Sequence, residues 1–179
     1  MNWLDIVLLV LILGVGVAGA RRGFGRAALD ALGLYAALWA ASALAPALAA
    51  HVGFAAGGAG VNRSWAFGLL FAALGALALA AAWYVHGLLQ VSAGMFDKLF
   101  GLVSGVGAGV ILAHALAWAV VTADPRHEAG AALVGQGMIS DEVYSFPAYH
   151  VALDTITGAG TYRRSLPDVS GSKTAQNSR

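Results

Sequence analysis

Residues 3–20 read WLDIVLLVLILGVGVAGA, with one acid and no base, and the pair Arg21-Arg22 follows directly. The run is too long for a strand, which averages about 5–6 residues. It approaches the roughly 20 mainly apolar residues that a bilayer-spanning helix needs. A helix buried in a water-soluble core would carry a charged face, and this one carries none. The competing reading is a secretory signal, because Ala18-Gly19-Ala20 has the A-x-A form of a cleavage site. A signal peptide places its bases before the apolar stretch. Here Met-Asn-Trp-Leu-Asp comes first and the arginines come after, so the run reads as an uncleaved first transmembrane helix.

Three further runs follow, from Ala27 to about Ala50, from Ser64 to about Leu89, and from Gly101 to Thr122. The composition agrees with four spans. Hydrophobic residues make up 59% of the 179 and charged residues only 11%, against about 25% charged in a soluble domain. The mean hydropathy is +0.75. The expected fold is an all-α membrane protein of four transmembrane helices with a short, partly helical, partly disordered C-terminal tail. The expected division is a transmembrane domain over 1–122, a polar tail with short amphipathic helices over 123–160, and disorder over 161–179.

The net charge of +1 supplies no basic field for nucleic acid. Cysteine is absent, which removes disulfides, thiolate metal sites and cysteine catalysis. Basic residues in short loops stay cytoplasmic. Arg21, Arg22 and Arg26 therefore place the first turn inside and the N-terminus outside. The loop from His51 to Arg63 is then outside, the Asp97-Lys98 loop inside as a solvated turn, and the tail outside, in a bacterium the periplasm. Trp3, Trp65 and Trp118 fall at the outer helix ends, where the interface favours tryptophan. Trp83 and Tyr84 fall near the inner end of the third helix, and Trp39 lies mid-helix, outside that belt.

In the tail, Asp124-Pro125 reads as a helix start, and Ser140-Asp141-Glu142 as a second with acids in its first turn. Pro147 interrupts, a short segment reaches Ile156, and Gly158 and Gly160 end it. From Tyr162 the composition is that of a disordered chain.

Small residues recur every four positions: Gly101, Gly105, Gly109, Ala113 and Ala117 in the fourth helix; Gly33, Ala37, Ala41, Ala45 and Ala49 in the second; Gly68, Ala72, Ala76 and Ala80 in the third. This spacing lines one helix face and lets backbones approach closely. The alternative is an alanine-rich composition that generates such runs by chance. The fourth helix carries the stronger signal, because three glycines cost helix propensity. Gly14, Gly16 and Gly19 match G-x-G-x-x-G, but a dinucleotide site needs a short strand before it and an acid about 20 residues beyond. Asp30 is eleven residues beyond Gly19, so the match reads as a glycine-rich membrane helix.

Asn2 and Asp5 have the spacing of an N-cap and an acid at the third helical position; a contact with a partner at the outer face is the other reading. Arg26 and Asp30 are spaced to pair along one helix, either as an anchor or as a site for lipid headgroups or a cytoplasmic partner. His86 and His114 are histidines inside membrane segments. His114 is thirteen residues into the fourth run, roughly 20 Å from its inner end, while His86 lies near the inner end of the third. One metal could not bind both. An interhelical hydrogen bond and a polar pathway for protons or ions are the two readings. There is no G-x-S-x-G or H-E-x-x-H, and His127-Glu128 lacks the second histidine of a zinc helix. No catalytic set, cofactor or metal is expected.

The opening Asn2-Trp3-Leu4-Asp5-Ile6-Val7-Leu8-Leu9, then Arg22-Gly23-Phe24-Gly25-Arg26 and Leu32-Gly33, resembles the colicin V production protein (CvpA) family. That family's N-terminus reads N-x-x-D-I, an apolar helix, then R-G-x-x-R. Phe96-Asp97-Lys98-Leu99-Phe100-Gly101, with Gly105 beyond, resembles its second block. The similarity covers roughly the first 120 residues. Where the family often has Arg-Gly early in the last helix, Ala108-Gly109 stands here. Some relatives carry a periplasmic serine protease, and the tail here has no protease motif. The resemblance implies a non-enzymatic inner-membrane protein supporting colicin V production or export and envelope homeostasis. Asn2, Asp5, Arg22, Gly23, Arg26, Asp30, Asp97, Gly101, Gly105 and Gly109 are the expected motif or structural residues. His86 and His114 are the candidates for a polar pathway. The expected partners are the lipid bilayer, membrane or envelope proteins, and a second copy of the chain. The alternative function is a small oligomeric channel or transporter for ions or a small solute.

Overall fold

The computed structural model describes residues 2–53, 58–89, 94–123 and 128–146. Four long helices dominate: α1 (Trp3–Arg22), α2 (Phe24–His51), α3 (Ala59–Leu89) and α4 (Asp97–Ala123), the last preceded by a 3-10 turn at Gly94–Phe96. Two short helices follow, α5 (Glu128–Gln136) and α6 (Met138–Ser145). No strand occurs among the described residues. Each long helix is long and apolar enough to cross a bilayer, and the chain is a multi-pass membrane protein. Large side chains such as Val10, Leu13, Leu32, Leu77 and Leu88 project outward. Exposed apolar area of that extent is a liability in water and the ordinary condition in lipid.

Several helices outrun their apolar stretches. α2 continues through Pro46, which forfeits a backbone N–H; a membrane helix tolerates this where neighbours resupply partners. α3 begins at Ala59, so the expected loop from His51 to Arg63 is in part helical. The reason is Asn62, whose Nδ2 donates to Ala49 O at 2.7 Å and Val52 O at 2.8 Å. These carbonyls lie at the C-terminal end of α2, which has no intrahelical donors left to offer.

Packing is pairwise. α1 lies along α4 and α2 along α3, and α2 also meets α4. The glycines of α4 set the first pairing. A Cβ at Gly109 would stand 2.8 Å from Ile12 Cα, and one at Gly105 2.7 Å from Val15 O. Gly101 and Gly19 approach each other's backbone in the same way. Ala113 and Ala117 continue this face and are fully buried. On α2, Ala37, Ala41 and Ala45 are buried, and Gly33 faces Ala78.

The third helix departs from expectation. Gly68, Ala72, Ala76 and Ala80 are exposed, while Ala66, Phe67, Gly75 and Ala82 face the bundle. Its four-residue repeat of small residues reflects composition, because the positions that face the bundle fall in a different register. Trp118 also departs. It is 6% exposed and packs on Phe67 with ring centroids 4.1 Å apart, so it belongs to the core rather than the interfacial belt. Trp3 and Trp65 remain exposed. α6 begins two residues before Ser140, with Gly137 as its N-cap residue. The expected features at Asp124-Pro125 and His127, and from Pro147 onward, lie outside the described residues.

Candidate functional site: charged clusters at the two ends of the bundle

At the arginine end, α1 stops because Gly23 adopts φ +85°, a region that favours glycine. α2 starts at the next residue with exposed backbone donors. Asp97, the first residue of α4, supplies the acceptor: Phe24 N–H donates to its Oδ1 at 3.1 Å. Its other oxygen lies where a Cβ on Gly23 would stand, so glycine is required there by space as well as by backbone angle. Asp97 is therefore a half-buried cap that ties the α1–α2 turn to α4 and not the solvated turn expected from sequence. Lys98 beside it is exposed.

Nearly two turns further along α2, Asp30 is 4% exposed. Arg26 Nε lies 3.0 Å from its Oδ1 and Arg22 Nη1 3.1 Å from its Oδ2. Arg26 Nη2 also donates to Leu79 O of α3 at 3.0 Å. The pairing anticipated for Arg26 and Asp30 is present, and Arg22 completes a clamp across α1, α2 and α3. A buried carboxylate is tolerable only with such partners. Arg22 and Asp30 border a cavity of about 250 Å³ whose other walls are mainly apolar, among them Leu34, Leu79 and Leu112.

At the opposite end, Asn2 and Asp5 form the expected capping box on α1, with Asp5 N–H donating to Asn2 Oδ1 at 3.0 Å. Asp5 does more than the local pattern indicates. It is fully buried, and Ser140 N–H donates to its Oδ1 at 2.9 Å and Met138 N–H to its Oδ2 at 3.2 Å. One carboxylate thus caps α1 and satisfies the first amides of α6, where anions are favoured. Asn2 Nδ2 donates to Leu133 O of α5 at 2.6 Å, and Ser140 Oγ to Val134 O at 3.0 Å. The sequence marks Ser140 only as part of a helix start and gives no sign of Leu133. Their partners are more than 130 residues away, and no local pattern encodes a contact of that range.

His114 is fully buried, with Nδ1 2.9 Å from Val143 O of α6, and its ring lies near Tyr144 and Phe146. This is the interhelical hydrogen bond of the two readings. His86 is half-buried near the arginine end of α3, and its Nδ1 has no hydrogen-bond partner among the described residues. The structure does not bring the two histidines together. Among the described residues, no group of three or more His, Cys, Asp or Glu side chains could hold a metal ion.

The clusters therefore hold helices to one another at both ends, with glycine contacts between. Compared with known proteins, residues 4–135 match the model of the family described as Colicin V production protein, which reaches from α1 into α5. No curated protein and no solved structure matches the chain.

Proposed function

The chain belongs to the colicin V production protein family, and from that premise we propose that it is a non-enzymatic scaffold or export accessory of the bacterial inner membrane. In this reading it supports colicin V production or export and envelope homeostasis through membrane or envelope protein partners. One observation carries the proposal. Asp5, Asp30, Asp97 and His114 each bond to another element of the same chain, Asp30 through Arg22 of α1. These four side chains act as ties, which suits a rigid platform better than a site of turnover.

The N-terminus and the tail helices lie in the periplasm, and the turn with Arg21, Arg22 and Arg26 in the cytosol. The support is the retention of basic loops on the cytoplasmic side, with Lys98 at the same end. The test is complementation of a deletion strain, read as colicin V export and envelope integrity. Arg22→Ala, at an exposed side chain, should impair rescue at normal protein level, and Asp5→Ala should impair it as well. Full rescue by both would remove the proposal.

The second reading is a small oligomeric channel or transporter, favoured by the cavity beside Asp30 and Arg22. Purified protein in liposomes would then pass ions or protons above the level of empty liposomes, in a manner dependent on His114 and Asp30. Absence of flux removes this reading.

A further inference from the structure

α1 and α2 meet at the Gly23 turn and then part, α1 following α4 and α2 following α3. The gap between them is the cavity of about 250 Å³ beside Arg22 and Asp30. Gly14 and Ala18 of α1 form its edge, and the same two residues notch a shallow groove along the outward face of α1 from Val10 to Arg21. That groove spans twelve residues, roughly 16 Å of helix from first to last. Half of a hydrocarbon core of about 30 Å is nearly the same depth, so the groove has the reach of one leaflet. It ends at a guanidinium.

The charge at that end is unbalanced. Arg21, Arg22, Arg26 and Lys98 stand against Asp30 and Asp97, four positive charges to two negative. An apolar notch of leaflet depth under a cationic surplus matches a lipid with an anionic head.

We infer that the notch binds one acyl chain of an anionic glycerophospholipid from the arginine-side leaflet, its phosphate held at Arg21 and Arg22. The site requires only that the chain spans a membrane, and stands or falls separately from the scaffold reading.

The test uses full-length protein in nanodiscs with equal phosphatidylglycerol and phosphatidylethanolamine of matched chains, released for native mass spectrometry. One phosphatidylglycerol should be retained in preference. Arg21→Gln should reduce that preference about fivefold, the effect of one basic residue near a membrane surface. Gly14→Leu fills the notch at a position where a Cβ meets nothing within 4 Å, and should strip the bound lipid. Independently of any variant, phosphatidylglycerol with a photoactivatable chain should crosslink to the segment from Val10 to Arg21. Equal retention of the two lipids, unchanged retention by Gly14→Leu, or crosslinks spread evenly over the four long helices would each overturn the inference.

Discussion

Replacing Gly105 by alanine probes the contact on which the bundle turns. The added methyl would stand 2.7 Å from Val15 O, 3.0 Å from Gly16 O and 3.0 Å from Gly19 Cα. All three are backbone atoms of α1, so no side-chain rotation relieves the crowding and α1 must shift away from α4. Overpacking of this kind costs about 1–3 kcal/mol. Alanine returns about 1 kcal/mol of helix propensity, leaving a net loss of about 0–2 kcal/mol. Gly107, two residues on, is the internal control. It is exposed, and a Cβ there meets nothing within 4 Å, so Gly107→Ala should be neutral or stabilise by up to about 1 kcal/mol. The two variants should differ by about 2 kcal/mol, roughly thirtyfold in the unfolding equilibrium. Reversible unfolding in mixed micelles, followed by circular dichroism and tryptophan fluorescence, measures the difference. Equal stability of the two would refute close backbone approach as the basis of α1–α4 packing.

Three further substitutions address the polar ties. Asp5→Ala leaves the amides of Asn2, Met138 and Ser140 without their acceptor; a loss of about 3 kcal/mol is expected, together with faster proteolysis within residues 128–146. Asp30→Ala strands Arg26, whose side chain is 14% exposed, and should cost about 3 kcal/mol in the same unfolding assay. Arg22 is 56% exposed and adds little, so the double variant Arg26→Met with Asp30→Ala should recover most of that loss. Asp97→Ala removes the cap on Phe24 and should destabilise by about 1 kcal/mol.

The parts of this fold that the sequence revealed are those governed by short-range rules. Long uncharged runs gave four helices because the bilayer requires length and apolarity within each segment. The α4 glycines were informative because glycine opposes helix formation and needs a compensating contact. The same spacing misled in α3, where alanine carries no such penalty and its presence reports nothing about neighbours. The Asn2–Asp5 cap and the Arg26–Asp30 pair were visible because each lies within one helical turn. Asp97 was misread because its partner is the turn at Gly23, brought near only by the folding of α1 onto α4. The second role of Asp5, at the start of α6, was hidden for the same reason. The place of Trp118 near a helix end points to the interface, and only the position of Phe67 shows that it faces inward.

The absence of cysteine makes the topology directly measurable, since any introduced thiol is the sole one. Met138 in α6 and Met95 before α4 are 79% and 90% exposed and lie at opposite ends of the bundle. In intact spheroplasts, a membrane-impermeant maleimide should label Met138→Cys at once and Met95→Cys only after the membrane is permeabilised. Labelling of Met95→Cys alone in intact cells, or of both equally, would contradict four crossings with the arginine turn in the cytosol.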